Sequence, residues 1–198
     1  MTQDTRTVVG NISVSLDGRV NGPGGDNDMG WVAKHAVSDE AFENLLDLMR
    51  TSTTVLLGRS NYQGFGSYWP AVADDEDADP RSREFSRWLN DVEKIVVSRT
   101  LTEATWSGSR VVADDPADVV AGLRERSGGD VWVMSSPVLI RRLVAAGQLD
   151  RLRLLLCPEI SGGGRPLFDD GLTPSSWRLT SSTPTGSGAL QLELAVDR

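Results

Sequence analysis

Four short apolar runs constrain this chain more than any other feature. Residues 53–57 (TTVLL), 94–98 (KIVVS), 131–134 (VWVM) and 151–157 (RLRLLLC) are rich in branched aliphatics, and each follows a segment with helical spacing. Runs such as TTVLL and VWVM lack alternation, as strands buried on both faces do, and such strands belong to parallel sheets covered by crossover helices. The intervening segments supply those helices. Ser38 stands as N-cap before Asp39-Glu40, with Phe42, Leu45, Leu46 and Met49 on one face; further helices are expected near 81–90, over 116–126 and over 137–146, the last stopped by Gly147. Right-handed βαβ crossovers in an α/β fold follow.

The two ends depart from this rhythm. Residues 7–16 (TVVGNISVSL) mix β-branched residues with alternation and close at Asp17-Gly18, predicting a first strand. Residues 17–30 (DGRVNGPGGDNDMG) are too rich in Gly, Asn, Asp and Pro for regular structure. Gly58 ends the TTVLL strand and a short helix or turn is expected from Ser60, while 73–84 (ADDEDADPRSRE) reads as a charged surface insertion and 110–113 as a shorter strand. At the C-terminus, 177–183 and 189–196 flank TPTGSG as an antiparallel hairpin. The expectation is therefore one domain over 1–198, a three-layer α/β fold with a mixed, mostly parallel sheet and a closing hairpin.

Charge and cysteine usage narrow the partners. With a formal net charge of -8, the surface would repel nucleic acid and anionic membranes. An anionic small molecule stays open, because a few arginines and helix N-termini can make a local positive pocket. The single cysteine, Cys157, permits neither an internal disulfide nor a cysteine-based metal cluster, so no metal is expected and a reducing cytoplasm fits. The polar start MTQDTRT leads straight into a strand, and no apolar stretch approaches the roughly 18 residues of a membrane span.

Three strands end in small or cationic residues just where a helix is due: Gly58-Arg59-Ser60, Ser98-Arg99-Thr100 and Ser135-Ser136-Pro137. Open α/β sheets bind ligands at such C-terminal edges, where helix N-termini offer unpaired N–H groups and arginine offers a planar fork for phosphate. Each alone also reads as an ordinary turn and cap. Gly162-Gly163-Gly164-Arg165 is a fourth candidate, either a backbone approach to a ligand or a flexible loop.

Taken in order, SVSLDGRVNG, DNDMGW, TTVLLGRSNYQGFG, KIVVSRTL and the stretch from DVWVMSSP to GGGRPLF resemble the dihydrofolate-reductase-like superfamily, and within it the RibD C-terminal domain family. The resemblance implies NADPH across the C-terminal strand ends and a small-molecule substrate. It assigns Gly58, Arg59 and Ser60 to the adenosine phosphates, Ser98 and Arg99 to the 2′-phosphate, Ser135, Ser136, Val138 and Leu139 to the pyrophosphate, and Gly162 and Gly163 to the family's glycine loop. Asn11, Ser13, Val20 and Gly22 border the nicotinamide in this scheme. Two departures stand out: Ser135 where the family has glycine, and Arg151 where an acid follows the aspartate.

For chemistry, the resemblance places Asp39 near the carboxylate of folate reductases, Asp17 at the substrate, and Trp31 and Phe42 beside it. Competing readings stay open: Asp39 as a helix-dipole complement, Asp17 as an Asp-Gly turn, Trp31 as core, and the lone His35 as a hydrogen-bonded structural residue. One histidine and one cysteine cannot build the zinc deaminase that riboflavin-pathway proteins often carry. The expected function is an NADPH-dependent reductase of a pteridine-like or aminouracil ribosyl phosphate-like substrate, in a homodimer. A quinone or xenobiotic carbonyl reductase, and a non-catalytic NADP-binding module, are the alternatives.

Overall fold

The computed structural model describes residues 6–26 and 28–197. The polar start at 1–5 and Asn27 of DNDMGW lie outside the described residues. In chain order the elements are β1 (Val8–Ser15), α1 (Gly30–Ala36), α2 (Asp39–Thr51), β2 (Ser52–Gly58), α3 (Arg59–Val72), α4 (Pro80–Asp91), β3 (Glu93–Val97), β4 (Ser109–Val112), α5 (Pro116–Arg124), β5 (Asp130–Met134), α6 (Pro137–Ala145), β6 (Arg151–Cys157), β7 (Trp177–Pro184) and β8 (Leu190–Val196).

The strands form one sheet in the order β4-β3-β2-β5-β1-β6-β8-β7. From β4 to β6 every neighbouring pair is parallel, whereas β8 runs antiparallel to β6 and β7 antiparallel to β8. The expected mixed sheet, with its crossover helices and C-terminal hairpin, is therefore the observed one.

Successive residues of these continuously apolar strands point to opposite faces, which is why helices cover both. Leu56 of β2 and Val131 and Val133 of β5 pack with Val120, Leu123, Ile140 and Leu143 of α5 and α6. Their neighbours Val55, Leu57, Trp132 and Met134 pack on the opposite face with Leu46 and Met49 of α2, Tyr62 of α3, and Phe85 and Leu89 of α4. Each fully buried leucine contributes about 1.5–3 kcal/mol by leaving water. At the lower end of the sheet, the Asp150 carboxylate accepts from Val8 N and from Arg124 at 2.7 Å each, tying β1, α5 and the start of β6 together.

Two helices differ from expectation. Residues 30–36 form α1, between the loop read over 17–30 and the helix capped by Ser38, where no element was expected, and α3 runs fourteen residues where a short helix or turn was expected. Gly64, Gly66 and Pro70 lower the intrinsic helicity of α3. Tertiary packing overrides that: Tyr62, Phe65 and Trp69 join the aromatic core of Phe85 and Trp132, and the Tyr62 hydroxyl accepts from Trp106 N at 2.9 Å. No helix of the described residues is long and apolar enough to cross a membrane.

Candidate active site

A cavity of about 640 Å³ opens at the C-terminal ends of β1, β2, β5 and β6. One wall is built largely of backbone. Gly58, Arg59, Ser60 and Asn61 enter it from the β2–α3 junction, and Ser135, Ser136, Pro137, Val138 and Leu139 from the β5–α6 junction. The N-caps of α3 and α6 are Gly58 and Ser136, and neither makes a side-chain cap hydrogen bond, so first-turn N–H groups of both helices are left for a ligand. The junctions are stitched to each other. Gly58 N donates to Ser136 Oγ at 3.0 Å, Asn61 Nδ2 donates to the Ser135 carbonyl at 2.8 Å, and Ser135 N donates to the Asn11 carbonyl at 3.0 Å. Held by those bonds, Ser135 has φ 47°, the one positive φ of a non-glycine residue among the described residues. Left-handed backbone strains serine, and strain of this kind concentrates at functional turns.

The opposite, inner end is built from side chains. Ala41, Asn44 and Leu45 of α2, Arg153 and Leu155 of β6, Gln191 of β8, and Met29, Val32 and Ala36 around α1 line it, together with Trp69 of α3, Phe85 of α4 and Trp132 of β5. Asn11 and Ser13 of β1 floor the cavity, with Trp132 Nε1 donating to Asn11 Oδ1 at 2.6 Å.

The residues singled out from sequence divide accordingly. Asn11, Ser13, Val20, Gly58, Arg59, Ser60, Ser135, Ser136, Val138 and Leu139 line the cavity; Gly22, Ser98, Arg99, Gly162, Gly163, Asp17, Trp31, Phe42 and Asp39 do not. Ser98 Oγ instead accepts from Thr100 N and Leu101 N, shaping a turn just beyond Val97, and Arg99 projects into solvent. Arg59 reaches that turn through Thr100 Oγ1 at 2.9 Å.

The glycine loop serves the loop after β1. A Cβ on Gly164, at φ 87°, would overlap the Asn21 carbonyl, and one on Gly163 would press on Pro23 at 2.9 Å. Asp17 fastens the same pair of loops, accepting from Ser15 Oγ at 2.6 Å, Ser161 N at 2.9 Å and Gly162 N at 3.1 Å. These donors, the Ser15 hydroxyl first, hold its carboxyl down to about 2. Arg165 and Asp26, paired at 2.8 Å, carry this loop pair to the cavity rim.

On α2 the phase of the helix decides. Ala41, Asn44 and Leu45 face the cavity, and Asp39, two residues or about 200° from Ala41, faces away. Its side chain is 82% exposed and pairs with Arg81 at 2.9 Å. Phe42 meets Phe85 edge-on under the Arg81 guanidinium, and Trp31 packs on the small cluster of Ala41, Leu155, Cys157 and Ala189. His35 is buried and bridges Glu159 Oε1 at 3.0 Å and Ser187 Oγ at 3.2 Å, which pins α1 to the end of β6 and the β7–β8 turn. Lys34, and then His35, lower the Glu159 carboxyl.

Sequence reasoning passed over Asn44, Asn61, Trp69, Arg153 and Gln191. Arg153 alone left a signal, a cation between the leucines of a mainly apolar strand, where charge is costly unless it is paired or used.

Comparison with known proteins adds three findings. The model of the RibD C-terminal domain matches residues 6–191. Uncharacterized protein YyaP of Bacillus subtilis (strain 168) is 27% identical over 187 residues, covering 94% of this chain and 93% of that protein. Among solved structures, a diaminohydroxyphosphoribosylaminopyrimidine deaminase/5-amino-6-(5-phosphoribosylamino)uracil reductase of Thermotoga maritima superposes with a TM-score of 0.66 at 13% identity, over 99% of this chain and 58% of that one. A dihydrofolate reductase of Enterococcus faecalis complexed with NADP(H) superposes at 0.58 and 15%, over 97% of each chain. At such identities these two structures share the fold, which is dihydrofolate-reductase-like.

Proposed function

This chain belongs to the RibD C-terminal domain family, and on that premise we propose that it is an NADPH-dependent reductase of a small heterocyclic or carbonyl substrate. The observation that carries the reading is the convergence of two helix N-termini, of α3 and α6, both without side-chain caps, on one cavity. Such termini present free N–H groups and positive dipole ends to an anion, and a pyrophosphate spans two of them. Gly58–Ser60 and Ser135–Leu139 would hold the phosphates, with Asn11, Ser13 and Val20 at the nicotinamide. Arg59 and the neighbouring Arg99 would meet a 2′-phosphate, the group NADH lacks.

When bound, the dihydronicotinamide supplies the hydride. The residues of the chain orient and desolvate: Trp69, Phe85 and Trp132 exclude water, and the Asn11 amide is locked by Trp132. Pteridine-like and aminouracil ribosyl phosphate-like compounds are the first substrates to try, because the two solved structures named above are a 5-amino-6-(5-phosphoribosylamino)uracil reductase and a dihydrofolate reductase.

Tryptophan fluorescence reports on this cavity through Trp69 and Trp132. NADPH is expected to bind at least about tenfold more tightly than NADH, and Arg59→Ala and Arg99→Ala each to weaken NADPH by about tenfold with little effect on NADH, the worth of one charge-assisted phosphate contact. Unchanged NADPH binding in both variants overturns the cofactor assignment. A second reading, a non-catalytic NADP-binding module, has one observation in its favour: among the described residues no carboxylate of α2 lines the cavity to serve as proton donor. NADPH oxidation by any one compound of a pteridine, aminouracil, quinone and carbonyl panel eliminates that reading; tight NADPH binding without turnover supports it.

The same reading extends to a homodimer. β7 is the exposed edge strand of the sheet and Leu179 on it is 54% exposed, so this open edge offers a second copy a strand to pair with. Light scattering after size exclusion tests it, with Leu179→Arg expected to give monomer.

A further inference from the structure

The inner end of the cavity carries charge that the cofactor reading leaves unused. Arg153 enters from β6 with its side chain 16% exposed. Its Nη1 donates to Asn44 Oδ1 at 2.9 Å and its Nη2 pairs with Glu193 Oε2 at 3.0 Å, while Nε is buried without a hydrogen-bond partner. A guanidinium has five N–H donors, so these partners do not saturate it. Glu193 is shared rather than committed to Arg153 alone, because it also faces the half-exposed Arg151 at 3.6 Å.

Asn44 is oriented by the same contact. Arginine only donates, so the amide oxygen must face it and the Asn44 NH₂ group remains as a further donor. The other walls here are Ala36, Ala41, Leu45 and Leu155, a mainly apolar lining that lowers the local dielectric, together with Gln191, whose Nε2 donates to the Leu154 and Leu192 carbonyls. Asp26, the one acid among the described lining residues, sits at the rim against Arg165.

We infer that Arg153 and Asn44 form the substrate-recognition end of this cavity and select a ligand that presents an oxygen acceptor, a carboxylate or carbonyl oxygen, over one that presents an amidine or ammonium. The inference rests on the reading of this cavity as the reductase site. A cationic or donor-only end would face a guanidinium and an NH₂ group with the single Gln191 amide oxygen to accept from it, whereas an oxygen acceptor receives charge-assisted hydrogen bonds from Arg153.

Benzoate and benzamidine, matched rings with opposite ends, serve as probes. Each is titrated against the full chain, with and without saturating NADPH, by tryptophan fluorescence. Benzoate is expected to bind on the order of tenfold more tightly than benzamidine, Arg153→Gln to erase that preference, and Asn44→Leu to weaken benzoate severalfold with Arg153 in place. NADPH binding by both variants stays within about twofold of wild type, as measured separately. Equal or tighter binding of benzamidine, no benzoate binding up to tens of millimolar, or a benzoate preference that survives both substitutions overturns the inference. Should Arg153→Gln fail to fold, Asn44→Leu decides alone. If wild type shows the Arg153-dependent preference but does not bind NADPH, the cofactor reading falls and the anion-selective end stands.

Discussion

The two ends of the cavity are made of different material. The wall proposed for the phosphates is two strand-to-helix junctions whose useful groups are backbone N–H, shaped by Gly58, Ser135 and Ser136 and stitched by Asn61. The inner end is a set of side chains, Asn44, Arg153 and Gln191, from α2, β6 and β8. Backbone sites tolerate varied side chains provided the turn is kept, whereas side-chain sites change their ligand with one substitution. Binding affinity for a dinucleotide should therefore depend on the first end and substrate choice on the second.

The largest test of that division is Gly58→Asp. The backbone there is extended, φ −81°, and a Cβ meets Ser136 Oγ at an ordinary 3.7 Å, so the chain folds, but a carboxylate now stands between two helix N-termini. NADPH binding is expected to weaken on the order of 100-fold by fluorescence titration, as expected from a like charge beside the phosphates and from carboxylate competition for their N–H donors. Loss of less than threefold would place the phosphates elsewhere.

Ser135→Gly sharpens the comparison from the stability side. Glycine relieves the left-handed strain and pays back part of it in unfolded-chain entropy, so the apo protein should gain about 0.5–1 kcal/mol in denaturant unfolding. NADPH affinity should move by less than about threefold if backbone rather than the hydroxyl builds the wall.

Asp17→Asn probes the loop pair at the rim through pH. The folded carboxyl lies near 2, below its ordinary 3.8, so the folded state favours the ionised form. That contribution is complete above about pH 5 and is lost as the pH falls through 2, below which the proton is taken up in both states. The melting temperature difference between wild type and Asp17→Asn should thus be flat above about pH 5 and narrow steadily from about pH 4 down through pH 2. A gap that widens on acidification contradicts the tether. The smallest effect is expected from Asp39→Asn, which should leave melting temperature, NADPH binding and turnover unchanged, since Asp39 faces solvent and Arg81. A loss of turnover alone would return it to the chemistry.

Legibility followed the same line between backbone and side chain. Apolar runs with alternate partners on two faces predicted the strands of the sheet, and Ser38, Gly58, Pro116, Pro137 and Gly147 marked helix ends because capping, dihedral restriction and positive φ are local properties. Helix α3 was hidden because its stability lies in contacts of Tyr62 and Trp69 with residues far along the chain, which outweigh Gly64, Gly66 and Pro70. The Asp39 expectation shows the finer limit. An offset of two residues on a helix turns a side chain by about 200°, and only the packing of α2 on the sheet sets which face looks inward.

By itself, then, the amino-acid order determined the α/β layering, the strand-to-helix turns that line the cavity and the family to which the chain belongs, since each is written in residues close in sequence or in ordered motifs. Tertiary structure alone decided which side chains share the inner end. Arg153 meets Asn44 across 109 residues and Glu193 across 40, and a pairing over such separations is set by sheet register and helix phase, which no local signal carries.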